Sequence, residues 1–135
     1  MWRRFLFNEI PVTKVNINDL ECIVHSKLPS TARSYFLYEF EKMLMESPMN
    51  IDIASDAFFS FLLLKYYTQI ESLSVEDFNK LDYDNKLTLS DTFVHNGYIH
   101  LIVSAIDSEE YATLVEYSKK IITRVERYKF TNWEA

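Results

Sequence analysis

Glycine is almost missing from this chain: its 135 residues contain one, Gly97. Phosphate-cradling loops need several glycines, so that backbone N–H groups can approach the ligand closely. Walker-type and dinucleotide-binding loops are therefore excluded. Tight hairpins also lean on glycine at positive φ, so a many-stranded barrel or sandwich is not expected. Proline is scarce too. Pro11, Pro29 and Pro48 all lie in the first 48 residues, and beyond Met49 no proline interrupts a helix. Cysteine occurs once, as Cys22. No intramolecular disulfide and no cysteine-based zinc site can be built. Within Cys22-Ile23-Val24 the thiol is expected to be buried and inert, which fits a reducing, cytoplasmic setting.

Long apolar runs are missing as well. Met1-Trp2-Arg3-Arg4-Phe5-Leu6-Phe7 pairs two cations with apolar residues, but the run ends at Asn8. An export signal needs an apolar stretch of about 7–15 residues. Ala57 to Leu64 is the richest apolar run, and Lys65 closes it. A membrane-spanning helix needs about 20 such residues.

Catalytic groupings do not stand out. The three histidines are His25, His95 and His100. Zinc needs at least three converging ligands, and only two of these are close in sequence, so no metal or other cofactor is expected. Asp91 and His95 are four apart and would share a helical face, but no serine or cysteine offers itself as the nucleophile they would serve. Acid pairs such as Glu109-Glu110 are explained by the positive end of a helix dipole. An enzyme is not expected.

What is present is a substantial core and an uneven charge. The chain is 48% hydrophobic and 16% aromatic, enough for one folded domain over residues 1–135. Phe36, Phe40, Met43 and Leu44 form one helical stripe after Ser30 or Thr31, and Ser47-Pro48 ends it. From Asp52 or Ser55 to about Glu71, apolar residues cover every side, which marks a helix buried by several neighbours. Ser74-Val75-Glu76-Asp77 resembles a capping box opening a short helix to Leu81. Asp82-Tyr83-Asp84-Asn85 has the composition of a turn. Asp107-Ser108-Glu109-Glu110 starts a helix expected over 108–129, with Phe130 and Trp133 in a tail. The fold class is therefore predominantly α, a compact bundle of about five helices around a buried central helix at about 53–71.

Two stretches are ambiguous. Asn96-Gly97 is a hairpin signal, yet Val94, Tyr98, Leu101 and Ala105 recur at helical spacing, and helix is favoured over 86–106. The alternative is an α+β fold with a hairpin there and a short N-terminal strand. Residues 2–28 could hold a strand at Phe5–Phe7, β-branched Val12, Val15 and Ile17, and a short helix over Asp19–Ser26 capped by Asn18.

The net charge is −6, from 14 Lys and Arg against 20 Asp and Glu. From Glu39 to Asp91 there are 11 acids and 4 bases, or −7, whereas residues 119–129 hold 5 bases and 1 acid, or +4. An acidic chain with no recognition motif is a poor nucleic-acid binder. The cations Lys119, Lys120, Arg124, Arg127 and Lys129 suit the negative end of a helix. The densest acidic cluster is Glu71, Glu76, Asp77, Asp82 and Asp84, with Tyr83 among them. Such a face suits docking of a basic protein, with carboxylates steering the encounter and Tyr83, or Tyr66 and Tyr67, as aromatic anchors. The expectation is a small acidic binding protein, most concretely an immunity protein or antitoxin that masks the basic surface of a bacterial toxin such as a nuclease. The alternative is a helical adaptor, of phage or viral kind, that binds a host protein through an apolar groove.

Overall fold

Residues 12–17, 20–70 and 73–134 are described by a computed structural model of the chain. Among them lie six helices and three short strands. Strands β1 (Val12–Ile17) and β2 (Leu20–His25) pair antiparallel, Val12 opposite His25 and Ile17 opposite Leu20. β3 (Thr68–Ile70) joins the other edge of β2, with Cys22 opposite Ile70 and Val24 opposite Thr68. Cys22, Val24, Thr68 and Ile70 turn inward, while Glu21 and Gln69 face out. That alternation has period 2, the signature of a sheet with one buried face.

The hairpin therefore exists, but at 12–25 rather than 86–106, and the helix expected over Asp19–Ser26 is replaced by β2. The cause is non-local: β2 becomes a central strand only because the chain returns beside it at Thr68. The strand considered at Phe5–Phe7 and the cap considered at Asn18 lie outside the described residues.

α1 spans Ser30–Glu46 and buries Phe36, Phe40, Met43 and Leu44, the expected stripe. α2 spans Ile51–Tyr67 and is the central helix. The Asn50 side chain caps it by accepting the Asp52 N–H at 2.9 Å, so it starts before either residue expected to open it. It ends at Tyr67 rather than Glu71, because Thr68 adopts extended dihedrals and continues into β3. Phe36 meets Phe59 and Tyr67 edge-on, with centroids 5.5 and 6.0 Å apart. These T-shaped contacts suit aromatic quadrupoles. Lys65 is buried on α2 and donates to Glu39 at 2.6 Å.

α3 (Val75–Lys80) opens with the expected Ser74–Asp77 capping box. α4 (Tyr83–His95) begins where a turn was expected. Asp82 accepts the Asn85 N–H at 2.8 Å and is its N-cap, so the Asp-Tyr-Asp-Asn run is a helix start. α5 (Tyr98–Ala105) follows directly. Gly97, at φ +76°, makes the break between α4 and α5. The 86–106 stretch is thus helical, as favoured, but in two pieces.

α6 runs from Ser108 to Glu134, taking in the tail. Asp107 accepts the Glu110 N–H at 3.1 Å, and its own N–H donates to Ser26 O at 2.9 Å. Glu110 itself is not a solvated dipole partner. It is buried, and its carboxylate accepts three bonds: Leu28 N–H at 2.6 Å, Tyr67 O–H at 2.8 Å and Arg33 Nη1 at 3.2 Å. Burial and the Glu110 carboxylate together push the Tyr67 phenol above its ordinary pKa. No helix among the described residues is long and apolar enough to cross a membrane.

Removing one partner of a buried ionic network costs about 3–5 kcal/mol. Glu110→Ala should lose stability on that scale in urea unfolding. Glu110→Gln, which keeps an acceptor for Leu28 and Tyr67, should lose clearly less. Burial pushes the Cys22 thiol up to about 11, partly offset by a hydrogen bond with Thr68. At pH 9 a thiol-reactive dye should leave Cys22 unlabelled in the native protein and modify it rapidly in urea.

Candidate protein-binding surfaces

The acidic cluster sits at two successive helix starts. Glu76 and Asp77 occupy the first turn of α3, Asp82 caps α4 and Asp84 lies in its first turn. All four are exposed. Glu71 and the side chain of Tyr83 lie outside the described residues. Two of the four carboxylates have structural work. Asp77 accepts from the Ser74 N–H at 2.8 Å and from its Oγ at 3.0 Å. Those bonds, with Lys80 nearby, hold its pKa below the usual value. Asp82 caps α4. Glu76 and Asp84 make no side-chain hydrogen bond or ion pair among the described residues. They are the members of the cluster whose charge faces only solvent.

The cations of 119–129 do not stand at a helix end as expected, since α6 continues to Glu134 and its last turn holds no base. Arg124 Nε donates to Glu41 at 2.8 Å and its Nη2 pairs with the same carboxylate. Lys129 donates to Ser47 O at 2.7 Å. Those cations fasten α6 along α1. Lys120 lies over the Tyr117 ring at 5.5 Å.

Tyr66 and Tyr67 do not line a groove. Both are buried, Tyr66 donating to Glu39 at 3.1 Å and Tyr67 to Glu110. Asp91 and His95 are both exposed on α4. Among the described residues no group of His, Cys, Asp and Glu could hold a metal ion.

A groove does exist, elsewhere. α4 packs on α2, with Ser90 Oγ donating to Ala57 O at 2.8 Å, and α6 packs on α1. α4 and α6 diverge, leaving a trough of about 800 Å³ above the first half of α2. Its floor is Ala57, Phe59 and Phe40. The α6 wall is Tyr111, Val115, Ser118 and Ile122, spaced +4, +3 and +4. Ile53 and Val94 stand at the opening, 63% and 52% exposed. Asp52, Asp56 and Asp91 line it against a single cation, Lys119. Burial, then the Asp56 carboxylate, raise the Tyr111 pKa.

The sequence carries a sign of this trough. At 100° per residue, Glu110, Leu114, Ile121 and Val125 occupy one sector of α6. Tyr111, Val115, Ser118 and Ile122 occupy the next. Their apolar members together cover about 120° of the helix, somewhat more than a stripe of roughly 100°. The surplus faces the trough.

Comparison with family models, with curated proteins and with solved structures finds no match.

The two kinds of carboxylate should separate on mutation. Asp82→Ala removes the α4 cap and should cost about 1 kcal/mol in thermal or urea unfolding. Asp84→Ala should stay within about 0.5 kcal/mol of the parent.

Proposed function

We propose that this protein works by recognition rather than catalysis, binding a basic protein and blocking its active surface. Its most concrete form is an immunity protein or antitoxin held in the cytoplasm, opposite a toxin such as a nuclease. The observation that carries this reading is the continuity of negative charge along α4. Asp84 and Asp91 are seven residues apart, so they share one exposed side of the helix at a separation of about 10 Å. The acidic cluster at the starts of α3 and α4 therefore runs into the acidic rim of the trough. Arg124 and Lys129 of α6 are held on α1 and Ser47, which leaves Lys119 as the α6 cation that lines the trough and Lys80 as the base beside Asp77. Such a surface attracts a positively charged partner over roughly a Debye length, about 8 Å at physiological salt, and accelerates encounter.

A second reading, an adaptor that binds without inhibiting, is favoured by the trough itself. Its apolar floor would hold a partner whatever that partner's activity.

The test is to capture the partner from the native host and measure association by stopped flow with the purified pair. Glu76 and Asp84 are the residues to reverse, since neither supports a cap. Glu76→Lys with Asp84→Lys should slow association about tenfold at low salt, while the two cations at helix N-termini cost about 1–2 kcal/mol and leave the protein folded. The parent rate should fall steeply with salt, and the partner's activity should be lost in the complex. Association indifferent to both salt and charge reversal would sink the inhibitor reading. Salt-independent binding without inhibition would leave the adaptor.

A further inference from the structure

We infer that the trough between α4 and α6 is a receptor for a basic amphipathic helix of the partner protein. This rests on the reading that the chain acts by protein recognition, and it names the element recognised. Three features point to a helix. The trough is walled by α4 and α6 and floored by α2, with Phe40 of α1 and Ile99 of α5 completing the lining, the surroundings a helix finds inside a bundle, where axes lie about 8–10 Å apart. Its α6 wall repeats at helical spacing from Tyr111 to Ile122, a rise of about 16 Å or three turns. Its opening exposes Ile53 and Val94, large apolar side chains at the edge of an apolar floor, where a facing stripe would cover them.

Charge selects the sign of the flanks. Asp52 and Asp56 stand one helical turn apart on the α2 side, and Asp91 stands on the α4 side. With Lys119 the lining carries −2, from three carboxylates and one ammonium. A ligand helix with leucine-type residues at i, i+4, i+7 and i+11, and lysine or arginine beside that stripe, fills the floor and pairs both rims. An acidic or neutral helix leaves the carboxylates facing a low-dielectric contact, which costs affinity.

The probe is a fluorescein-labelled synthetic helix of about 14 residues, of leucine, lysine and alanine, with that stripe and basic flanks. Its controls are a scrambled sequence of equal composition and a version with glutamate for lysine. Titration of the full chain should show saturable binding at least tenfold tighter for the striped basic peptide than for either control. Ile53→Glu and Val94→Glu alter exposed side chains and should keep the parent melting temperature. Each sets a carboxylate against the apolar stripe of the bound helix and should weaken peptide binding about tenfold. Asp52→Lys with Asp91→Lys should weaken it similarly, while Glu76→Lys with Asp84→Lys should change it less than threefold.

Equal binding of all three peptides would overturn the proposal. So would peptide affinity unchanged by Ile53→Glu and Val94→Glu. A self-associated parent that Val94→Glu converts to monomer would assign the trough to a second copy instead. A gain of tenfold or more in peptide affinity on Arg3→Glu with Arg4→Glu would assign it to the chain's own first residues. None of these results touches salt-dependent inhibition of the captured partner, so the two readings fail separately.

Discussion

One buried carboxylate organises this molecule. Glu110 takes hydrogen bonds from the segment before α1, from the first turn of α1 and from the last residue of α2, while standing in the first turn of α6. Burying an ion is costly, and the cost is offset only when donors meet it from several sides. Here they come from three places separated by up to 82 positions in the chain. The arrangement is therefore available in one packing of the helices and in few others. It fixes the first turn of α6 at the junction of α1 and α2. From there α6 runs parallel to α1, fastened again by Arg124 on Glu41 and by Lys129 on Ser47 O. Two ties hold it on α1, and its adjoining side, from Tyr111 to Ile122, lines the trough.

The same logic separates what could be read from the chain and what could not. The stripe of α1, the all-round apolar character of α2 and the Ser74–Asp77 box are local patterns, and each became the expected element. The hairpin at 12–25 was obscured because its inward face, Cys22 and Val24, is short and its partner β3 lies more than forty residues away. Asp82–Asn85 reads equally as a turn or as the cap and first turn of a helix, since aspartate and asparagine favour both. What decided it was the apolar material that follows, packed against α2. Glu110 was hidden for a related reason. An acid in a first turn has a sufficient local explanation, and only tertiary contacts reveal that it has been buried.

The candidate surfaces show the limit from the other side. The acidic cluster was legible as a density of charge, but composition cannot distinguish a carboxylate that caps a helix from one that faces solvent. Asp77 and Asp82 belong to the first kind, Glu76 and Asp84 to the second. The trough is a relation between helices, so no single segment announces it. Its trace is the excess width of the apolar arc on α6, which a list of apolar residues conceals by merging two adjacent stripes into one.

A chain with a single glycine can still leave an open trough between its helices. Where tight turns are few, helices are joined by short extended or capped junctions, and their directions are set by tertiary contacts. The Ser90 bond to Ala57 pulls α4 onto α2. The Glu110 network and the α1 ion pairs pull α6 onto α1. Those two sets of contacts hold α4 and α6 to different helices. The trough is the geometrical remainder of that division. Two of its aspartates stand on α2, the helix at the centre of the core, and the third on α4, which packs on it. Carboxylates on helices need no backbone ordering on binding, whereas carboxylates on a loop would have to be ordered first. The acidic rim and the apolar floor are therefore consequences of one packing arrangement.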